Sequence, residues 1–115
     1  MSFWNTLKQA GKPIVVLAPM ADVTDASFRP LIAKYSAHTR ADGTVGGPDV
    51  MWTEFVSADG LVRATEEGKK KLMADLIYTE EERPIVAQLF SSTPAHMEAS
   101  AKLCVTSSKK QISFA

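Results

Sequence analysis

An α/β fold organised on a parallel sheet is the class predicted by this 115-residue sequence, and three observations lead there. Three short apolar runs rich in β-branched residues, over 14–18, 50–55 and 85–90, alternate with segments of helical period. That order gives parallel strands joined by right-handed crossovers. The first run, Ile14-Val15-Val16-Leu17-Ala18, passes at once into a turn and then into Thr24 and Asp25, both good helix caps, as a buried strand delivering the chain to a helix start does. The composition, 45% hydrophobic and 23% charged with acids and bases in balance, suits one globular domain with a modest core.

Residues 1–12 read as a flanking segment, an amphipathic turn with Phe3, Trp4 and Leu7 on one side, set off from the first strand by Gly11 and Pro13. After Asp25, residues Phe28, Leu31, Ile32 and Tyr35 recur at helical spacing; a capped turn over 24–29 with the main helix starting near Pro30 accommodates the proline, which suits a first helical turn. Residues 36–49 are polar, rich in turn formers and without apolar period, so they read as a long mobile surface loop, functional or inserted. His38 and Arg40 within it are candidates for a phosphate contact, or solvated side chains.

The second strand, over 50–55, leads into a short helix over 57–64 in which Gly60 is a weak point, and a second helical stretch over 66–73 carries Lys69, Lys70 and Lys71. The lysine run is a solvated helix face or an RNA contact. Residues 79–84 read as a charged turn before the third strand, which is apolar except for Gln88. A buried amide needs partners. Gln88 either bonds a neighbouring backbone group or, at the carboxyl end of a parallel strand, faces a ligand. Ser91, Ser92 and Thr93 cap a helix with Pro94 at its first position, and Met97, Ala101 and Cys104 lie on its expected core face. That helix is expected to finish near Leu103 and Cys104, and residues 105–115 do not supply the buried strand that should come next.

A lone Cys104 excludes an internal disulfide framework and makes the reducing cytosol, a cytoplasmic location, the expectation. No secretory signal is visible, and the longest apolar run is far shorter than the ~20 residues a spanning helix needs. Formal neutrality excludes a chain that grips nucleic acid through its overall field.

Three motifs then carry a family resemblance: Ala18-Pro19-Met20-Ala21-Asp22-Val23-Thr24-Asp25 with Phe28-Arg29; Thr53-Glu54-Phe55-Val56-Ser57-Ala58; and Arg83-Pro84 with Gln88-Leu89-Phe90. In this order and near this spacing they resemble the opening of the tRNA-dihydrouridine synthases. The similarity covers residues 13–104, about the first third of a family member. It implies a partial TIM (β/α)8 barrel of about three βα units, with 105–115 as a non-matching tail, and an FMN-dependent enzyme that reduces uridine in tRNA to 5,6-dihydrouridine at the expense of NADPH. By the same resemblance Pro19, Met20 and Ala21 line the flavin and Gln88 hydrogen-bonds its ring, while Thr53 and Glu54 stand near the site without an assigned role. No metal and no membrane are implied.

Departures from the family pattern shape the functional expectation. Asp22 and Ser91 stand where the family commonly has glycine, and the loop over 36–47 is longer than usual. The family continues beyond the third helix into a strand and an Asn-x-Gly-Cys-Pro turn whose cysteine protonates C5 of the uracil while reduced flavin delivers hydride to C6. That turn is not in this sequence, Cys104 does not match its cysteine, and no catalytic residue is assigned. The expectation is therefore a truncated, inactive synthase-like chain that self-associates through open sheet edges. The alternatives are a non-catalytic interaction fragment, or a piece of another FMN-dependent barrel oxidoreductase, against which the Thr53–Ala58 motif counts.

Overall fold

The computed structural model describes residues 2–40 and 43–111, with side chains through Ser107 in the last helix. Helix α1 (Phe3–Gln9) precedes strand β1 (Val16–Leu17) and helix α2 (Phe28–Tyr35). A small hairpin, β2 (His38–Thr39) and β3 (Val45–Gly46), leads to β4 (Val50–Trp52) and β5 (Val56–Ser57). Helices α3 (Ala58–Arg63) and α4 (Glu66–Ala74) and a 3-10 turn (Glu80–Glu82) follow, then β6 (Ile85–Val86), β7 (Leu89–Phe90) and α5 (Pro94–Gln111).

The strands at the three apolar runs pair in parallel in the order β1-β4-β6, and β5 pairs in parallel with β7 just beyond. The α/β class with parallel strands is thus what the chain folds into. Its core lies between the second pair and the helices: Val56, Leu61 and Leu76 are buried, with Leu72, Met73, Leu89 and Cys104 packed against them. Gly60, the weak point of α3, faces the end of the Leu72 side chain, whose Cδ1 a Cβ would approach to 2.8 Å. Ser57 and Thr65 cap α3 and α4, accepting from the Gly60 and Gly68 amides at 3.1 and 3.2 Å.

Several expectations change in the structure. The first strand is short, and Ile14, Val15 and Val16 are 41, 57 and 45% exposed rather than buried, because β1 is an outer strand of its sheet. Helix α2 begins at Phe28 and not at Pro30; the Asp25 carboxylate accepts from the Ser27 and Phe28 amides at 2.9 and 2.8 Å, which puts the proline in the first turn, where its missing N–H costs nothing.

The stretch 36–49 is a built element, not a mobile loop. His38 and Thr39 pair antiparallel with Gly46 and Val45, Gly47, Pro48 and Asp49 are buried, and Asp49 bridges to β1 by accepting from and donating to the Val15 backbone at 2.8 Å. Gly47 passes so close to α2 that a Cβ would sit 2.8 Å from the Ala33 Cα. Arg40 is not solvated; its guanidinium donates to the carbonyls of Gly47, Pro48 and Arg83. Residues 41 and 42 of that stretch lie outside the described residues.

Helix α5 continues past Cys104 to Gln111, because residues 105–111 contain neither glycine nor proline to stop it. Its inward side carries Met97, Ser100 and Cys104, while Ala101 is exposed. Residues 112–115, the tip of the expected tail, lie outside the described residues.

Candidate functional site at the carboxyl edge of the parallel strands

The register sorts the two faces of the sheet. Val16 pairs with Val50 and Leu17 with Met51; Met51 pairs with Ile85 and Trp52 with Val86, each pair 34 residues apart. Paired residues share a face, and faces alternate along a strand. Leu17, Met51 and Ile85 therefore point one way. Further along the same alternation, Thr53 and Ala87 join Ile85 in lining a cavity of about 220 Å³ with Met73, Leu76 and Cys104, which marks this as the helix side. Val16, Val50, Trp52 and Val86 form the opposite face.

Met20, Glu54 and Gln88 each follow the carboxyl end of a parallel strand, β1, β4 and β6 in turn, and so belong to one edge of the sheet. Between the β4–β6 and β5–β7 pairings, residues 53–55 stand against only 87 and 88, a one-residue bulge on the first chain. Bulges re-aim side chains and recur beside functional sites. Here the backbone is stitched across the bulge. Thr53 N donates to Val86 O at 3.0 Å, Gln88 N to Thr53 Oγ1 at 3.0 Å, and Val56 N to Gln88 O at 2.9 Å.

Those bonds satisfy the Gln88 main chain without using its side-chain oxygen. Gln88 Oε1 and Glu54 Oε1 are both buried and accept no hydrogen bond among the described residues. Of the two readings of Gln88, the bond to a neighbouring backbone group involves its peptide, not its amide oxygen. Thr53 is fully buried and acts as the hinge of the pair, accepting from Gln88 N and donating to Glu54 O at 3.0 Å.

The first turn of the site is fixed from within. Thr24, fully buried, accepts from Met20 N at 2.9 Å and donates to Met20 O, which also receives the Val23 and Thr24 amides. Thr24 therefore closes the turn, and Asp25 takes the capping role alone. Asp22 sits at φ +61°, the left-handed region where glycine is at ease and aspartate is tolerated, so the backbone supplies a physical reason for glycine there. Pro19 is half-buried, while Met20 and Ala21 are exposed, Met20 by 43%. Met20 and Gln88 thus stand at the same edge with β4 between them, and neither lines the cavity on the helix side or the one at the amino end of β1.

Two polar constellations were not visible in the sequence. At the start of α3, Asp59 Oδ1 accepts from Ser91 Oγ at 2.8 Å and meets the His96 ring Nδ1 of α5. The hydrogen bonds from His96 and then Ser91 hold the Asp59 carboxyl below its usual range. Ser91, where glycine was expected, also accepts from Thr93 N at 2.9 Å and so shapes the turn that enters α5. Behind the sheet, Arg29 and Glu82 form a fully buried ion pair at 2.6 Å. Only the Arg29 position in the first motif hinted at it.

Other candidates read as structural. His38 is exposed with its ring at 3.2 Å from Ser36 O, and Lys69 pairs with Glu66 at 3.6 Å on a solvated helix face. Cys104 packs against the core, and burial pushes its thiol up, away from a reactive thiolate. Among the described residues no group of three or more His, Cys, Asp or Glu side chains is placed to hold a metal ion, and no helix is long and apolar enough to cross a membrane.

With this geometry in place, comparison with known proteins is decisive at the family level. The model of the family described as dihydrouridine synthase (Dus) matches residues 16–114. The chain belongs to the dihydrouridine synthase family. It is 36% identical over 93 residues to a probable tRNA-dihydrouridine synthase 2 of Bacillus subtilis strain 168, and 31% identical over the same length to probable tRNA-dihydrouridine synthases of Staphylococcus epidermidis RP62A and Staphylococcus aureus COL. Each match covers 81% of this chain and 24% of the relative, so this dihydrouridine synthase sequence spans about a quarter of the length of the curated relatives it matches. Helix α1 lies ahead of the family match; β1, the Met20 turn, the bulge and Gln88 all lie within it.

Proposed function

We propose that this chain forms the opening βα units of a (β/α)8 barrel and one wall of an FMN pocket, in a cytoplasmic oxidoreductase that reduces uridine in tRNA to 5,6-dihydrouridine with NADPH as reductant. One observation carries the reading: the buried oxygen of Gln88, without a donor among the described residues, at the carboxyl end of a parallel strand. Ligands of parallel α/β folds gather at that edge. A carboxamide offers an acceptor beside two donors, and the pyrimidine rim of an isoalloxazine ring offers an N–H beside carbonyls. The residues therefore fit the group: Gln88 to read the ring edge, with Pro19, Met20 and Ala21 as an exposed shelf against its plane.

When bound, FMN supplies the hydride. What the chain itself does is hold and orient. Thr24 locks the Met20 turn, Thr53 anchors the Gln88 peptide across the bulge, and Val16, Val50, Trp52 and Val86 supply an apolar face on the same sheet. No described side chain at this edge is assigned as the acid for uracil C5. Proton delivery, flipping of the base and the grip on tRNA belong to other parts of such an enzyme.

Titrating the chain with FMN, followed by quenching of flavin fluorescence, tests the reading. Micromolar binding that falls about tenfold in Gln88→Ala, as expected for one buried hydrogen bond and its orphaned partner, supports it. Binding indifferent to Gln88, or none to the folded chain, overturns it.

A second reading, a partner-binding piece without catalysis, draws on the exposed apolar strand β1. Such an edge adds strands from a partner or a second copy. A monomer across a hundredfold concentration range in sedimentation would count against the second-copy form of this reading.

A further inference from the structure

The proposed pocket leaves one buried atom unused. Glu54 follows β4 as Gln88 follows the neighbouring parallel strand β6, and its Oε1 too is buried without a donor among the described residues. A carboxylate accepts only. Its position is enforced, since the stitched backbone on either side, Thr53 N to Val86 O and Val56 N to Gln88 O, fixes the bulge that carries it. The two buried carboxylate residues are treated differently by the fold: Glu82 accepts from Arg29 and from Thr79 N, and Asp49 from Val15 N. An acceptor that the chain buries and then leaves bare calls for a donor brought in from outside.

We infer that Glu54 is a ligand-binding residue whose carboxylate accepts the hydrogen of an imide N–H, a ring nitrogen between two carbonyls. The inference rests on the FMN reading, because it places Glu54 and Gln88 in one pocket. Two molecules of that reaction carry an imide N–H, the isoalloxazine ring and the uracil base, and the edge presents two bare acceptors. One acceptor serves each ring. An acceptor-only group also discriminates: it welcomes the protonated ring nitrogen of uracil and is repelled by the lone pair that cytosine presents at the same place.

Methylating the imide nitrogen removes the donor and leaves the rest of the ring intact. The wild-type chain and Glu54→Met, which keeps length and removes both oxygens, are titrated with FMN and 3-methyl-FMN. The FMN-loaded chains are then titrated with uridine 5′-monophosphate and its 3-methyl derivative. In the wild type, methylation weakens binding about tenfold or more in one of the two arms, and in Glu54→Met that penalty disappears; the arm in which it disappears identifies the ring Glu54 reads. Glu54→Gln, which retains an acceptor oxygen, restores part of the penalty. Because the bare oxygen is a burden to the unliganded fold, Glu54→Met also raises the Tm of the apo chain, by about 4 °C.

A methylation penalty that is the same with and without the Glu54 oxygens in both arms overturns the inference, as does a lowered apo Tm, which would make Glu54 a structural residue. If the wild type binds FMN and shows no coupling, Glu54 alone is misassigned. If the folded wild type binds no FMN, the pocket reading falls together with it.

Discussion

Two pairs of polar side chains with buried oxygens are handled in opposite ways in this chain. Behind the sheet, every arm of the Arg29–Glu82 pair is used: the guanidinium reaches Glu82, Thr24 O and Ile77 O, each at 2.6 Å, and the second Glu82 oxygen accepts from Thr79 N. At the carboxyl edge, Glu54 and Gln88 each keep a bare oxygen. The first pair is closed within the chain and ties α2 to the 3-10 turn that leads into β6. The second is open at the place where parallel folds bind ligands. A polar group closed within the fold serves structure, and an unpartnered oxygen at the edge is what the proposed flavin pocket would use.

Substitutions should separate the two pairs. The largest effect is expected at the closed one: Arg29→Ala or Glu82→Ala leaves a charge buried and alone, costs about 3–5 kcal/mol, and drops the urea midpoint far enough to leave much of a small domain unfolded. The double variant Arg29→Met with Glu82→Leu should cost less than the two single losses added, since no lone charge remains. At the open pair, Gln88→Ala should change the urea midpoint little while weakening FMN about tenfold, and an equally large stability loss would erase the contrast.

Thr53→Val sits between the two classes. It removes the acceptor for Gln88 N and should cost about 1–2 kcal/mol in stability and loosen flavin binding as well, read by urea denaturation and by FMN titration. The smallest effect is expected at Asp59. Its carboxyl titrates below the ordinary value in the folded chain, so its contribution is fully present above the unfolded-state pKa of about 3.9 and is lost as pH falls through the lower folded value. The urea midpoint of Asp59→Asn should accordingly fall less steeply than that of the wild type over that acid range.

The site was legible in outline because its parts lie within short motifs. The Pro19-Met20-Ala21 turn follows the first apolar run directly, Gln88 interrupts the third, and Asp25 and Pro94 mark helix starts by their chemistry alone. Glu54 was placed near the site with no role, because nothing in local spacing tells an exposed glutamate from one sealed by a bulge. The stretch over 36–49 misled for the same reason: its order comes from Arg40 reaching Arg83 and from Asp49 reaching Val15, contacts across 43 and 34 residues that leave no apolar period behind.

By itself the sequence determined the alternation of strands and helices, the parallel pairing and the family, since these follow from apolar period, capping residues and motif order along the chain. Only the tertiary structure decided which buried polar atoms are satisfied. Burial and hydrogen-bond partnership are properties of the space between elements, and the edge that carries Met20, Glu54 and Gln88 exists only once β1, β4 and β6 lie side by side.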